Sequence, residues 1–279
     1  MQMKCAWQEL LSILPGWLSA EADKQGRESL QELRLRAGRN PELVTGKGSS
    51  WLGRTVSRDD LQFCINTASR YSPWAAHSVS EGYLTAPGGH RIGICGEAVV
   101  KAGEMTTIRQ PESICIRVAR DFPGIGKQAS DLRGSILLIG PPGAGKTTLL
   151  RDLARQMAEK YSVSVVDERK ELFPGCFLLG KKMDVLSGCP KSIGIQRLIR
   201  TMGPEYIVVD EITAAADCEA MLYAGWCGVK LIASAHAASV SDLLSRPVYR
   251  PLLEDGLFDH ILVLSRDKSW REERMPTCI

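Results

Sequence analysis

Several features that mark large protein classes are missing from this sequence. Its nine cysteines are an odd number, and none stands in a CxxC pair, which argues against a disulfide framework or a zinc site. We therefore expect reduced thiols and a cytoplasmic location. No uninterrupted apolar run approaches the roughly 18 residues of a membrane-spanning helix. The segment from Met1 to Trp17 lacks the pattern of a signal peptide, so we expect any membrane association to run through a protein partner.

A surplus of charge of one sign is missing as well. The 35 basic side chains face 32 acidic ones, which gives a net charge of +3. Because nucleic-acid binding draws on many Lys and Arg contacts to phosphates, this balance disfavours a nucleic-acid partner. The hydrophobic and charged fractions, 44% and 24%, are those of a globular protein of one large or two ordinary domains.

A loop-forming segment divides the chain. The stretch Asp121 to Arg133 contains FPGIGK, whose proline and glycines mark a linker. We therefore predict an N-terminal domain over residues 1–128 and a second domain over residues 129–279. The N-terminal pattern is mixed, which predicts an α+β fold with helices at Trp7–Leu14 and Ser57–Tyr71 and strands at Tyr83–Ala86, Arg91–Val100 and Ser113–Ala119.

The second domain alternates short apolar strands with helices. Continuous apolar strands between helices indicate a parallel sheet covered on both faces, hence an α/β fold. The predicted strands are Ile136–Ile139, Val163–Val166, Tyr206–Val209, Val229–Ala233 and His260–Leu264. The predicted helices are Lys146–Glu159, Ser192–Met202 and Asp217–Trp226.

The stretch GPPGAGKTT matches the phosphate-loop pattern G-x-x-x-x-G-K-[ST] in full and lies between a strand and a helix. Glycines let backbone amides turn toward a phosphate, and the following helix presents its positive end to the anion. Lys146 is expected to neutralise the β- and γ-phosphates of ATP, and Thr147 to bind Mg²⁺. The residues expected to hold the nucleotide are Gly140, Pro141, Pro142, Gly143, Ala144, Gly145, Lys146, Thr147 and Thr148.

A second motif, YIVVDEI, is a buried strand that ends in two carboxylates. Open α/β sheets bind ligands at the carboxyl ends of their strands. Asp210 is therefore predicted to orient Mg²⁺ through water, and Glu211 to activate the attacking water as a general base. Such an acid pair is typical of ATPases with a RecA-like core, in which one strand lies between the phosphate-loop strand and the acidic strand. Val229–Ala233 is the candidate for that strand.

Two further groups are predicted at the same edge. The central candidate strand leads into Ser234 and His236, and either side chain is placed to distinguish ATP from ADP by hydrogen bonding. The segment VVDERKE puts Asp167, Glu168 and Arg169 after the second strand, where Glu168 is a second candidate for the base. A cluster of solvated charges explains this last segment equally well.

The chain resembles the stage III sporulation protein AA family of endospore-forming bacteria, which is similar to the motor ATPases of type II and type IV secretion and pilus systems. The resemblance extends over about Leu33 to Leu264. The matching blocks are ELRLRAGRNPEL, GGHRIGICGEAVV, IRQPESICIRVAR, ILLIGPPGAGKTTLLRDLAR, VVDERKEL, RTMGPEYIVVDEI and SAHAASVSDLLSRP.

The resemblance implies roles for these blocks. Residues 140–148 would be Walker A, Asp210 and Glu211 would close Walker B, and His236 would match a histidine box. Asp167 to Arg169 would occupy the place of an acidic box. Arg109 and Arg117 become candidates to contact the phosphates. The alternative is that both are surface arginines without such a role. The family resemblance also implies a homo-hexamer that acts with membrane proteins of a trans-envelope complex between mother cell and forespore.

Three functions therefore compete. The first is an ATP-hydrolysing motor that energises or gates the sporulation channel. The second is a P-loop ATPase that binds single-stranded nucleic acid, which the charge balance disfavours. The third is a nucleotide-gated scaffold with little turnover, against which Glu211 argues because a switch needs no catalytic base.

Overall fold

The computed structural model describes residues 3–70, 79–80 and 82–273 and divides the chain into two units. The N-terminal unit contains residues 3–121 and 174–176, and the C-terminal unit contains residues 122–173 and those from 177 onward. Residues 122–128, which the sequence analysis assigned to the first domain, thus belong to the second unit.

Among the described residues, no helix combines the length and the apolar character needed to cross a membrane.

The N-terminal unit is built on a six-stranded antiparallel sheet with the order β3-β2-β1-β6-β5-β4. Its strands are β1 (Leu30–Arg36), β2 (Glu42–Thr45), β3 (Gly48–Trp51), β4 (Tyr83–Thr85), β5 (Arg91–Lys101) and β6 (Glu104–Arg117). Its helices are α1 (Trp7–Ser12), α2 (Gly16–Gln25) and α3 (Arg58–Ser69). Leu10, Leu33, Leu61, Ile92 and Ile116 are fully buried in one apolar core. The predicted α+β character is confirmed.

Helix α3 begins where the sequence predicts. The Ser57 hydroxyl accepts a hydrogen bond from the Asp60 amide at 3.0 Å, and the Asp60 carboxylate accepts one from the Ser57 amide at 2.9 Å. This reciprocal capping satisfies amides that have no partner within the helix. Tyr71, the predicted end of this helix, lies outside the described residues.

Strands β5 and β6 form a long hairpin, and the predicted strand at residues 113–119 is only its final part. Residues 104–107 are all exposed, so this part of β6 lacks the apolar alternation that reveals a half-buried strand. The ladder shifts register around Gly96, where a Cβ atom would lie 2.5 Å from the Gln110 carbonyl oxygen. A bulge there separates an inner and an outer part of the hairpin.

The C-terminal unit is built on a seven-stranded sheet with the order β13-β12-β7-β11-β10-β8-β9. Its strands are β7 (Ile136–Ile139), β8 (Val163–Asp167), β9 (Met183–Ser187), β10 (Tyr206–Val209), β11 (Lys230–Ala235), β12 (His260–Leu264) and β13 (Trp270–Glu273). All neighbours pair in parallel except β13, which runs antiparallel to β12. The predicted RecA-like core is confirmed, with β11 between β7 and β10.

Helices cover both faces of this sheet. They are α4 (Lys146–Met157), α5 (Lys191–Met202), α6 (Ala215–Trp226), α7 (Val240–Ser245) and α8 (Arg250–Glu254). Alternate β7 residues enter different cores: Ile136 and Leu138 pack with Leu150 of α4, while Leu137 and Ile139 lie in the core that contains Met221 of α6. Burial on both faces explains why the central strands are continuous apolar runs.

Candidate nucleotide site

The candidate site lies at the carboxyl edge of the C-terminal sheet. The phosphate loop follows β7, and the paired acids follow β10. Ser234 lies near the end of β11, and His236 directly follows that strand. Parallel pairing of these three neighbouring strands brings their ends together. The structure thereby assembles five of the predicted site residues: Lys146, Thr147, Asp210, Glu211 and His236.

The phosphate loop turns on glycines that no other residue could replace without strain. Gly143 and Gly145 have φ angles of 76° and 98°, which L side chains rarely adopt. A Cβ atom on Gly140 would lie 2.7 Å from the Leu264 carbonyl oxygen. Helix α4 starts directly after Gly145, so its free amides face the loop and favour an anion.

Lys146, the first residue of α4, is bound by three acceptors. Its ammonium group lies 2.8 Å from the Gly140 carbonyl oxygen, 3.2 Å from that of Pro141 and 2.9 Å from His236 Nδ1. The side chain is buried, at 6% exposure. Burial lowers the pKa of Lys146, and the negative charges of Glu211 and Asp210 oppose that shift. The arrangement holds a cation ready at the loop.

Asp210 is the centre of a hydroxyl network. Its Oδ2 accepts a hydrogen bond from the Thr147 hydroxyl at 3.1 Å, and its Oδ1 accepts one from the Ser234 hydroxyl at 2.8 Å. The Glu211 amide donates to Ser234 Oγ at 3.1 Å. These contacts hold the acid pair against both the phosphate loop and β11.

His236 connects Lys146 to Glu211. Its Nδ1 lies 2.9 Å from the lysine nitrogen, and its Nε2 lies 3.1 Å from Glu211 Oε1. Because an ammonium group only donates, Nδ1 accepts, and the ring proton belongs on Nε2, where it is donated to Glu211. The histidine thus touches both the cation and the acid of the site.

The acidic cluster after β8 divides into two side chains with different environments. Asp167 is buried and accepts hydrogen bonds from the amides of Glu171, Leu172 and Phe173 at 2.8 to 3.1 Å. Burial raises the pKa of Asp167, and its three amide bonds oppose the shift. Glu168 instead forms an ion pair with Lys191. Asp167 therefore organises the loop, whereas Glu168 faces a cation.

Two residues at this edge were missed by the sequence analysis. Lys191 begins α5, and Asp217 lies in the first turn of α6, 3.8 Å from the lysine nitrogen. Both are buried. The available signal was Lys191 itself, because a cation is disfavoured at the positive end of a helix.

Helix α4 also holds the predicted linker. Asp152 Oδ2 accepts hydrogen bonds from the amides of Gly124 and Gly126 at 2.9 and 2.7 Å. Its Oδ1 pairs with Arg155 at 2.7 Å. A Cβ atom on Gly126 would lie 2.5 Å from the Leu153 amide nitrogen, so glycine permits this close approach. The linker is packed against the phosphate-loop helix.

The outer side of the phosphate loop is met by the turn between β12 and β13. The exposed Lys268 donates a hydrogen bond to the Gly143 carbonyl oxygen. This contact uses a backbone carbonyl oxygen of the loop and none of its amides.

Arg109 and Arg117 both lie on β6 in the N-terminal unit. Arg109 pairs with Glu97 across the hairpin, with Nε 3.2 Å from the Glu97 carboxylate. Arg117 Nε lies 3.3 Å from Glu32 Oε1 on β1. Both arginines are exposed and engaged by carboxylates of their own unit.

The oxygen donors fit a Mg²⁺ site of the P-loop type. Thr147 Oγ1 and Asp210 Oδ2 lie 3.1 Å apart beside the phosphate loop. Across residues 3–70, 79–80 and 82–273, no three His, Cys, Asp or Glu side chains are grouped to hold a metal alone.

Comparison with known sequences gives a match over nearly the whole chain. The family described as "Sporulation stage III, protein AA" matches residues 8–274. Stage III sporulation protein AA of Bacillus subtilis (strain 168) is 36% identical over 283 aligned residues, which cover 93% of this chain and 91% of that protein.

Comparison with solved structures identifies the fold. The ATPase DotB of Legionella pneumophila superposes with a TM-score of 0.58 at 16% identity, covering 93% of this chain and 79% of that one. The pilus retraction motor PilT, solved with bound ADP, gives a TM-score of 0.63 at 15% identity, covering 88% and 76% of the two chains. At such identities the likeness concerns the fold.

Proposed function

Because this chain belongs to the sporulation stage III, protein AA family, we propose that it is a Mg²⁺-dependent ATPase of endospore formation. In this proposal, ATP hydrolysis energises or gates a trans-envelope channel complex between mother cell and forespore. The observation that carries it is the meeting of Lys146, Thr147, Asp210 and Glu211 at one sheet edge, with His236 between cation and acid.

ATP binding would begin at the phosphate loop. The amides at the start of α4 would bind the phosphates, and Lys146 would exchange its protein acceptors for phosphate oxygens. Bound Mg²⁺ would neutralise charge on the β- and γ-phosphates. Thr147 and Asp210 would hold it, with Ser234 fixing the orientation of Asp210.

Hydrolysis needs a base for the attacking water, and we assign this role to Glu211. Its backbone is fixed by Ser234 and its carboxylate by His236. When Lys146 moves to the phosphates, His236 loses its partner at Nδ1 and is free to respond to the nucleotide. His236 would then change its hydrogen bonds when ATP binds, and it would release Glu211 for catalysis.

The proposed assembly is a homo-hexamer that docks on membrane proteins of the channel complex. Support comes from the family and from the secretion-type fold. Arg109 and Arg117 are the proposed sources of a positive charge for the phosphates, which requires each to leave its carboxylate partner.

The test is ATP hydrolysis by the purified chain, beside Lys146→Ala and the control Lys182→Ala, with mass recorded with and without ATP. Lys182 is exposed, and its ammonium group donates a hydrogen bond to the Lys160 carbonyl oxygen at 2.9 Å. We expect turnover to vanish in Lys146→Ala and to persist in Lys182→Ala. Normal hydrolysis in Lys146→Ala would refute the site, and ATP binding without turnover would indicate a scaffold.

A further inference from the structure

Lys191 occupies a place that helix physics disfavours. It is the first residue of α5, where the helix dipole is positive, and its cap Pro190 offers no side-chain hydrogen bond. The side chain is only 7% exposed, so the ammonium group has lost most of its hydration. Ordering a long side chain adds an entropic cost. A residue that its own helix disfavours indicates a role that depends on contacts with other elements of the fold.

The compensation comes from two carboxylates on different elements. The lysine forms an ion pair with Glu168, in the loop after β8, and lies 3.8 Å from Asp217 Oδ2 on α6. Asp217 in turn accepts hydrogen bonds from the amides of Thr213 and Ala214 at 3.1 and 3.2 Å. The lysine therefore links the acidic loop to the segment that directly follows Glu211.

These groups surround one cavity at the sheet edge. Its lining carries two cations, Arg169 and Lys191, and the carboxylates of Asp167, Glu168, Glu171, Asp210 and Glu211. Carboxylates outnumber cations there, and a bound triphosphate would add further negative charge. An unpaired Glu168 would repel the other acids and compete with Glu211 for the attacking water.

We propose that Lys191 is a positioning residue of the ATP site, which rests on the function proposed above. By pairing with Glu168 it withdraws that carboxylate from the role of base. Through Asp217 it holds the segment behind Glu211 in place. Lys191 thereby decides between the two candidate bases in favour of Glu211, and it acts on the chemical step rather than on ATP binding.

The experiment compares steady-state hydrolysis and ATP binding in full-length Lys191→Met, Lys191→Arg and wild type. We expect Lys191→Met to lower kcat about tenfold or more while the Kd for ATP changes less than about threefold, because Lys146 and the phosphate loop are untouched. Lys191→Arg should restore most of kcat, since a cation returns. The matched control is Lys160→Met, whose lysine is exposed and lies 3.6 Å from Asp131.

A double-mutant cycle with Glu168→Gln tests the route. If Lys191 acts by neutralising Glu168, Glu168→Gln alone changes kcat little, and its addition to Lys191→Met restores most of the lost kcat because the unpaired carboxylate is gone. A larger loss in Glu168→Gln than in Glu211→Gln would make Glu168 the base and overturn the inference. An unchanged kcat in Lys191→Met would also overturn the inference. A lower kcat that accompanies a lower Tm and that Lys191→Arg does not restore would overturn it as well.

The two proposals fail differently. A wild-type chain that hydrolyses no more ATP than Lys146→Ala refutes the ATPase itself, and the role of Lys191 falls with it. Active wild type with a fully active Lys191→Met refutes the positioning role alone.

Discussion

Nearly all buried side chains among the described residues of the N-terminal unit are apolar. The exceptions are His90 and Asp121. The C-terminal unit instead buries seven charged side chains: Lys146, Arg151, Asp152, Arg155, Asp167, Lys191 and Asp217. All seven lie on α4 or around the carboxyl edge of the sheet. One unit is stabilised as an ordinary apolar core, and the other also carries the electrostatic cost of buried charge.

The difference between the two units shows where the buried charged groups of this protein are concentrated. Burying a charge is costly unless it is paired, so evolution keeps such groups where they position a site. Lys146 contacts the phosphate loop, Asp152 holds the linker on α4, and Lys191 and Asp217 connect the acidic loop to the segment that follows Glu211. The first two of the following changes test this contrast by pairing a substitution in the C-terminal unit with one in the N-terminal unit.

The largest effect is expected from Glu211→Gln, since general base catalysis contributes about 10²- to 10⁴-fold. We expect kcat to fall by at least about 100-fold while ATP stays bound, because glutamine cannot accept the water proton. The matched change in the N-terminal unit is Glu42→Gln, which removes a carboxylate paired with Arg36 and should leave kcat unchanged. Fast turnover in Glu211→Gln would assign the base to another acid.

A second contrast concerns stability. Asp152→Ala removes the buried carboxylate that pairs with Arg155 and that accepts hydrogen bonds from the Gly124 and Gly126 amides. We expect a loss of about 3 kcal/mol in the free energy of unfolding of the C-terminal unit. Ser57→Ala, which removes a helix cap in the N-terminal unit, should cost about 1 kcal/mol.

Denaturant-dependent hydrogen exchange of peptides from each unit measures both losses separately. Equal losses in the two variants would contradict the claim that buried charge is concentrated at structurally critical points of the C-terminal unit.

The smallest effect concerns His90, which is fully buried, lies 2.9 Å from the Ala6 carbonyl oxygen through Nε2 and accepts from the Ala119 amide at 3.1 Å. Burial lowers its pKa, against the opposing effects of the Ala6 carbonyl and Glu9. The unfolded chain therefore takes up a proton first as pH falls. The contribution of His90 to the free energy of unfolding is present at pH values above its ordinary pKa of about 6.5. It is lost as the pH falls toward the lower pKa of His90 in the folded state.

We expect the N-terminal unit to lose stability between about pH 7 and pH 5, and His90→Gln to reduce that dependence because glutamine does not titrate. Each unit by which the folded pKa is lowered corresponds to about 1.4 kcal/mol. The measurement is hydrogen exchange of N-terminal peptides across this pH range. An undiminished pH dependence in the variant would remove His90 as its source.

Much of the C-terminal fold was predictable because local and tertiary signals agree there. The apolar runs that predict β7, β8, β10 and β12 match the observed strands within one residue, and the central place of β11 followed from the acid pair after β10. The phosphate loop was predictable since its glycines are required by the backbone itself. Its contacts with Asp210 and His236 followed from the strand order.

The remainder depends on tertiary contacts that leave no periodic pattern. Strand β9 lies at the sheet edge, where Met183 is its one buried residue, so buried and exposed residues do not alternate clearly. The docking of Gly126 on α4 depends on an aspartate 26 residues away. Lys191 lies outside every motif of the sequence, and the packing of α5 beside α6 brings it to Asp217, which follows the acid pair closely in the chain.

The bulge at Gly96 has a consequence for how this protein can vary. A one-residue slip in a sheet turns every side chain to the opposite face, but a bulge absorbs such a slip. The tip of the hairpin, residues 99–107, can therefore change in length without moving Ile92, Ile94, Ile114 and Ile116 out of the core. The sheet and the hairpin tip are thus independent of one another in length.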